Sequence, residues 1–218
     1  MEGRAPAPIA RRILVRDVKG YRPDATLEPT YAVRLDRIIE AADARGMIVL
    51  VGCLYWSTSR AREDLTHWTQ ADANRAVANT VAWLKERNYR NVFVDPDNEG
   101  MANAAKKWRI GEMIAAGHAV DSRCLIAYNA KPPPPGNADL AIHHSPKIPG
   151  KPYVETEGSP PQSNYWGAYS KQEDLYNYVN VGVYTPEMKE RQQAATTEHI
   201  DRANGYILAS TWLQAPPP

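Results

Sequence analysis

Two groups of polar side chains, each with carboxylates, follow short apolar runs of the sequence, where buried strands are expected to end. Asp97, Asn98 and Glu99 follow the first run, and Glu155 and Glu157 close the second. In parallel α/β architectures chemistry sits at the carboxyl ends of strands, because the loops there converge. A pair of carboxylates in that position suits glycosidic bond cleavage, in which one protonates the leaving oxygen and the other attacks the anomeric carbon or activates water. Taken alone, the Asn-Glu pair is better explained as the cap of a following helix than as a site.

The two strand ends together resemble glycoside hydrolase clan A, the retaining (β/α)8 glycosidases that include cellulases and mannanases. The resemblance is carried by Asn98-Glu99 and by the run Lys151-Pro152-Tyr153-Val154-Glu155-Thr156-Glu157-Gly158. It implies that Glu99 is the general acid/base and that Glu157 is the nucleophile. Glu155 stays open as the alternative nucleophile, because residues two apart in an extended strand point the same way.

The same resemblance implies a set of substrate-binding side chains. Asn98 would bind the sugar 2-hydroxyl, and Trp212, near the end of the last strand, would stack on the sugar ring. His143 and His144 precede the nucleophile strand, where the clan places a Tyr or His that orients the nucleophile, and His144 is the better match. Three further aromatic residues at strand ends or in the long loop are candidates for the cleft wall: Tyr128, Trp56 and Trp166. Burial in the core is the alternative role for these aromatics. No metal or cofactor is expected.

Strands and helices alternate along the chain, which predicts an α/β fold with a parallel sheet. Strands are predicted to begin near Met47, Asn91, Arg123, Ala138, Lys151 and Tyr206, and helices over Tyr31–Arg45, Gln70–Arg87 and Ala102–Ala116, the last ended by Gly117. Aligned on its carboxylates, the chain resembles strands three to eight of the clan barrel, and residues 13–15 resemble part of strand two. The expected fold is therefore a TIM-type (β/α)8 barrel that is incomplete at its N-terminus.

This prediction treats residues 1–218 as a single partial catalytic barrel, with disorder over residues 1–12. The open edges of an incomplete barrel would favour a homo-oligomer in which two copies cover them. A truncated N-terminus would have lost any signal peptide, so a secreted or periplasmic location stays open.

Composition narrows the partners. The chain has 26 basic and 25 acidic residues and a net charge of +1, without a basic stripe, which argues against nucleic acid. No apolar run approaches the length of a membrane span. Six Trp and twelve Tyr against one Phe suit a partly wet surface such as a sugar-binding cleft. Cys53 and Cys124 lie in apolar runs and are interpreted as buried hydrophobic residues.

Two other functions compete with a retaining β-glycosidase. The first is a non-catalytic carbohydrate-binding remnant of such a barrel. The second is a metal-dependent hydrolase built on His143, His144, Asp95 and Asp97, which the absence of a His-x-His or His-Glu-x-x-His spacing disfavours.

Overall fold

The computed structural model describes residues 19–56, 65–156 and a few later positions: 186–187, 190, 194, 197 and 205–206. The chain divides into two compact units, Met1–Ile126 and Ala127–Pro218. Strand β3, Leu125–Tyr128, crosses this division.

The described part of the first unit alternates strands with helices. In chain order it contains α1 (Pro29–Asp43), β1 (Val49–Gly52), α2 (Gln70–Glu86), β2 (Val92–Asp95), α3 (Met101–Lys106), α4 (Ile110–Val120) and the start of β3. Strands β1 and β2 run parallel in the register Val49↔Val92, and β2 pairs with β3 in the same sense. The carboxyl ends of β1 and β2 therefore lie at the same edge of this sheet.

Local sequence signals explain where the long helices begin. Thr69 and Asp72 form a reciprocal capping box at the start of α2, in which each side chain bonds the other's main chain. Thr30 directly precedes the predicted helix Tyr31–Arg45 and is the N-cap expected from residue type, but it does not cap α1. The side chain of Glu28 accepts the N–H groups of Thr30 and Tyr31, and Pro29 takes the first helical position, where no N–H is needed.

The single helix predicted over Ala102–Ala116 is two helices, and Gly117 does not end the second. The break falls at Lys107, whose left-handed φ of 62° closes α3. Gly117 lies inside α4 because the helix packs closely there. A Cβ at this position would overlap the side chain of Ile126 and lie 3.3 Å from Val77 on α2. Glycine here permits close packing rather than a turn.

The described part of the second unit consists mainly of short strands. The end of β3 pairs with β4 (Leu140–Ile142), β4 with β5 (Tyr153–Glu155), and β5 with the two-residue strand β6 (Gly205–Tyr206), all parallel. The α/β class with parallel strands is thus confirmed, whereas membership of a (β/α)8 barrel stays a prediction. None of the helices in the described ranges combines the length and apolar composition needed to cross a bilayer.

Candidate functional site

Glu155 is the last residue of β5, and its side chain is 9% exposed. Its Oε1 lies 3.0 Å from Nδ1 of His143, and its Oε2 lies 3.2 Å from the hydroxyl of Tyr153. The same hydroxyl is 3.0 Å from the carbonyl oxygen of His143. Because a phenol has one proton, these two acceptors share it. Both oxygens of the carboxylate are therefore held by groups from β5 and from the residue after β4.

The environment of Tyr153 keeps its phenol protonated, so that it can donate a hydrogen bond. Burial, followed by the charge of Glu155, raises the pKa of Tyr153 well above its ordinary value of 10.0. The phenol therefore stays protonated at physiological pH and can donate to the carboxylate. A hydrogen bond to a charged acceptor contributes about 1.5–3 kcal/mol, roughly twice the contribution of a neutral one.

His143 is held in a strained conformation. Its φ of 41° lies in the left-handed region, which costs a non-glycine residue roughly 1–2 kcal/mol. Its backbone N–H donates to the carbonyl oxygen of Val154 at 3.2 Å, which fixes the residue against β5. Such strain persists where the surroundings determine the conformation, and it is enriched at functional sites.

His144 has a different environment from His143. Its ring centroid lies 4.1 Å from that of His143, and its backbone N–H faces Oδ1 of buried Asn129 at 3.4 Å. The sequence favoured His144 as the residue that orients a nucleophile. His143 bonds the carboxylate of Glu155, and the orienting role of His144 stays a prediction.

In the first unit, Glu99 follows β2 in a tight turn, Asn98–Gly100. Glu99 and Gly100 are both left-handed, with φ of 54° and 64°. The N–H of Asn98 donates to the carbonyl oxygen of Leu54 at 2.9 Å, which ties the turn to the chain leaving β1. The side chain of Glu99 is half-buried. This turn holds the proposed acid/base in a defined backbone conformation.

Asp97 fixes the other side of that turn. Its carboxylate is fully buried and accepts the N–H groups of Ala102 at 2.9 Å and Asn103 at 2.8 Å, at the start of α3. Its own N–H donates to Oδ1 of Asp95 at 3.2 Å. Burial raises the pKa of Asp97 to about 6, against the lowering effect of the two N–H groups. From the sequence, Asp97 is proposed only as a ligand of a metal-dependent hydrolase, the less favoured function. Its position just before the predicted helix was the available signal for a cap.

Two of the predicted cleft aromatics are buried. Trp56 is 7% exposed and packs edge-on against Trp108 with ring centroids 5.4 Å apart, and Nζ of Lys106 lies 5.7 Å from the Trp56 ring centroid. Tyr128, at the end of β3, is 4% exposed. Both environments favour a packing role. Glu157, Trp166 and Trp212 lie outside the described residues.

The chain matches no protein-family model, and no curated protein sequence matches it. A function must therefore be argued from the residues and their geometry.

Proposed function

We propose that this protein is a retaining glycoside hydrolase that acts on β-linked glycosides or polysaccharides by double displacement. Glu99 is the general acid/base, and a glutamate at the end of β5 is the nucleophile. The resemblance to clan A assigns the nucleophile to Glu157. The hydrogen bonds that hold the carboxylate of Glu155 support that residue as the alternative, and the experiment below separates the two.

The observation that carries the proposal is the hydrogen bonding of Glu155. A nucleophilic carboxylate must be ionised and aimed before the substrate arrives, since preorganised groups need no rearrangement during reaction. Tyr153 and His143 bind one oxygen each of this carboxylate, in a nearly buried position. A carboxylate serving only the core would leave its strained histidine partner unexplained.

The chemistry proceeds in two balanced steps. In the first, the carboxylate oxygen bonds to the anomeric carbon while the carboxyl of Glu99 gives its proton to the departing glycosidic oxygen. In the second, the ionised Glu99 takes a proton from water, whose oxygen attacks the anomeric carbon and releases the glutamate. Anomeric configuration is retained, since the carbon is inverted twice.

Kinetics of three variants test these roles: Glu99→Gln, Glu155→Gln and Glu157→Gln. A panel of chromogenic β-glycosides supplies leaving groups of different acidity. We expect Glu99→Gln to lose about 10²–10⁴-fold in rate on poor leaving groups, which need protonation, and much less on nitrophenols. The nucleophile variant loses rate on every leaving group.

Added azide then identifies the nucleophile. In Glu155→Ala or Glu157→Ala, whose short side chain leaves room for the anion, azide replaces the missing nucleophile and gives an α-glycosyl azide, whereas in Glu99→Ala it intercepts the glycosyl-enzyme and gives a β-glycosyl azide. Glu112→Gln is the matched control, because Glu112 bonds Arg109 on the exposed side of α4 and should retain full activity. Wild-type rates in all three variants would refute the proposal.

The test also addresses the competing functions. A remnant that only binds carbohydrate would bind oligosaccharides without hydrolysing them. A metal-dependent hydrolase would lose its activity in a chelator, whereas the proposed mechanism keeps it.

A further inference from the structure

A cavity of about 320 Å³ lies within the first unit, along the carboxyl end of β1. Its wall is formed by residues 51–55 of β1 and the chain after it, by Tyr21 and its neighbours, by Tyr31 of α1, by Thr80 of α2 and by Asn98. Its volume is at the lower end of the range for small-molecule sites. The carboxyl ends of parallel strands are also where such sites are usually found.

The main chain of β1 is accessible from this cavity at Gly52. The N–H of Val49 donates to Asn91, and the N–H of Cys53 donates to Asp95, each at 2.8 Å. In a parallel ladder alternate residues face the same neighbouring strand, so the N–H and C=O of Gly52 point away from β2. Among the described residues, no atom other than those of Gly52 and its two chain neighbours lies within 4 Å of a Cβ built at Gly52. A glycine inside a strand often marks a place where a ligand approaches the backbone closely.

The described residues of the cavity wall carry no charged side chain. None of those that line it is Asp, Glu, Lys, Arg or His. The thiol of Cys53 stays neutral, because burial raises its pKa to about 12. Tyr21 donates to Oγ1 of Thr80 at 2.8 Å, and Thr80 donates to the carbonyl oxygen of Ala76. An ionised ligand would lose its hydration here without gaining a counter-charge.

Three tyrosines also line the cavity. Tyr21, Tyr31 and Tyr55 offer ring surface beside polar atoms, a combination that suits a ligand with apolar C–H faces and hydroxyl edges. Asn98, next to Glu99 in the chain, contributes an amide with both donor and acceptor atoms.

We infer that this cavity is a binding subsite for one neutral pyranose unit of the substrate, with Gly52 giving the sugar hydroxyls access to the main chain of β1. The inference rests on the proposed function for the identity of its ligand as a sugar. It adds where one sugar unit binds and that this unit must be uncharged, and neither follows from the catalytic glutamates.

Binding of cellobiose, mannobiose and xylobiose to the full-length Glu99→Gln chain tests the subsite without turnover. The competing anionic probe is cellobionate. We expect at least one neutral disaccharide to bind, cellobionate to bind more weakly, and Gly52→Val to raise the Kd about tenfold or more. Gly136→Val is the matched control, since a Cβ there also meets nothing within 4 Å and Gly136 does not line the cavity. Thermal melting checks that each variant folds.

Tyr55→Ala gives a second test if Gly52→Val does not fold, because Tyr55 lines the cavity and is 42% exposed. Failure of all three disaccharides to bind would overturn the inference. Unchanged affinity in a folded Gly52→Val chain would also overturn it. If Gly52→Val does not fold, unchanged affinity in Tyr55→Ala has the same consequence. If disaccharide binding depends on Gly52 but the wild-type chain hydrolyses no glycoside, the subsite is supported and the proposed glycosidase function is refuted. Glutamate-dependent hydrolysis that Gly52→Val leaves unchanged would do the reverse.

Discussion

We predict that the buried carboxyl of Asp97 makes the free energy of unfolding fall as the pH rises, which is opposite to the effect of most acidic residues. In the folded chain its pKa is about 6, against an ordinary value of 3.8, so the folded state binds this proton more tightly than the unfolded state. The free energy of unfolding contributed by Asp97 is therefore greatest below about pH 4 and is lost as the pH rises through about 6. At about 1.4 kcal/mol per pKa unit, the loss is about 3 kcal/mol.

Asp97→Asn removes this dependence, because an amide is neutral throughout. The amide oxygen can accept one N–H, from Ala102 or from Asn103, and the other N–H is left opposite an NH₂ group. That lost bond costs about 1–3 kcal/mol, the range for an unsatisfied buried donor. We therefore expect the variant to be less stable than wild type by that amount near pH 4. Near pH 8 the wild type has lost about 3 kcal/mol, so the two chains should be equally stable or the variant more stable.

Urea unfolding of both chains at several pH values between about 4 and 8 measures this difference. Asp121→Asn is the control, because Arg123 lowers the pKa of Asp121 to about 2. The contribution of Asp121 is lost only as the pH falls from 3.8 towards 2, so its variant should differ from wild type by a nearly constant amount between about pH 5 and pH 8. A stability deficit of Asp97→Asn that grows with pH would show that the carboxylate is the favoured form and would refute the reasoning.

Three further predictions concern packing, thiol reactivity and capping in the first unit. Gly117→Ala should lower the free energy of unfolding by about 1–3 kcal/mol, measured in urea, because its Cβ would overlap the buried side chain of Ile126; an unchanged midpoint would show that the α4 contact is looser than described. In the native chain a thiol reagent should label Cys124, which is half-buried, long before Cys53, whose pKa burial raises to about 12; equal labelling rates would contradict the burial of Cys53. Thr69→Ala should cost about 1 kcal/mol through loss of the α2 capping box, again by urea unfolding, and a loss below about 0.3 kcal/mol would argue against the box.

Periodicity and end signals in the sequence predicted most elements of the fold. The helix predicted over Gln70–Arg87 differs from α2 only at its last residue, because Arg87 is the C-cap rather than a helical residue. The break at Lys107 was missed because no Gly or Pro marks it, and only its left-handed φ reveals it. Cys53 is buried as predicted, whereas Cys124 is half-buried because it precedes β3 rather than lying within it.

The candidate site was predictable in part. The sequence predicted carboxylates at strand ends, because Glu99 and Glu155 follow short apolar runs that are typical of buried strands. The partnership of His143 with Glu155 did not follow, because it depends on strand register. The pairing Ile142↔Val154 brings the next residues, His143 and Glu155, side by side. A shift of one residue would have paired His144 with Glu155 instead, and the sequence alone does not fix that register.

In the proposed mechanism a glutamate, Glu155 or Glu157, becomes covalently glycosylated during turnover. A 2-deoxy-2-fluoro β-glycoside with a dinitrophenolate leaving group tests this most directly, because the fluorine slows both steps while the leaving group keeps the first one fast. Its sugar should be that of the best chromogenic substrate. Mass spectrometry of the intact chain and of its peptides then locates the adduct. We expect one covalently bound sugar per chain, attached to Glu155. An adduct on Glu157 would show instead that Glu157, which the resemblance assigns, is the nucleophile. A chain that hydrolyses the parent glycoside but carries no adduct on either glutamate would contradict the account.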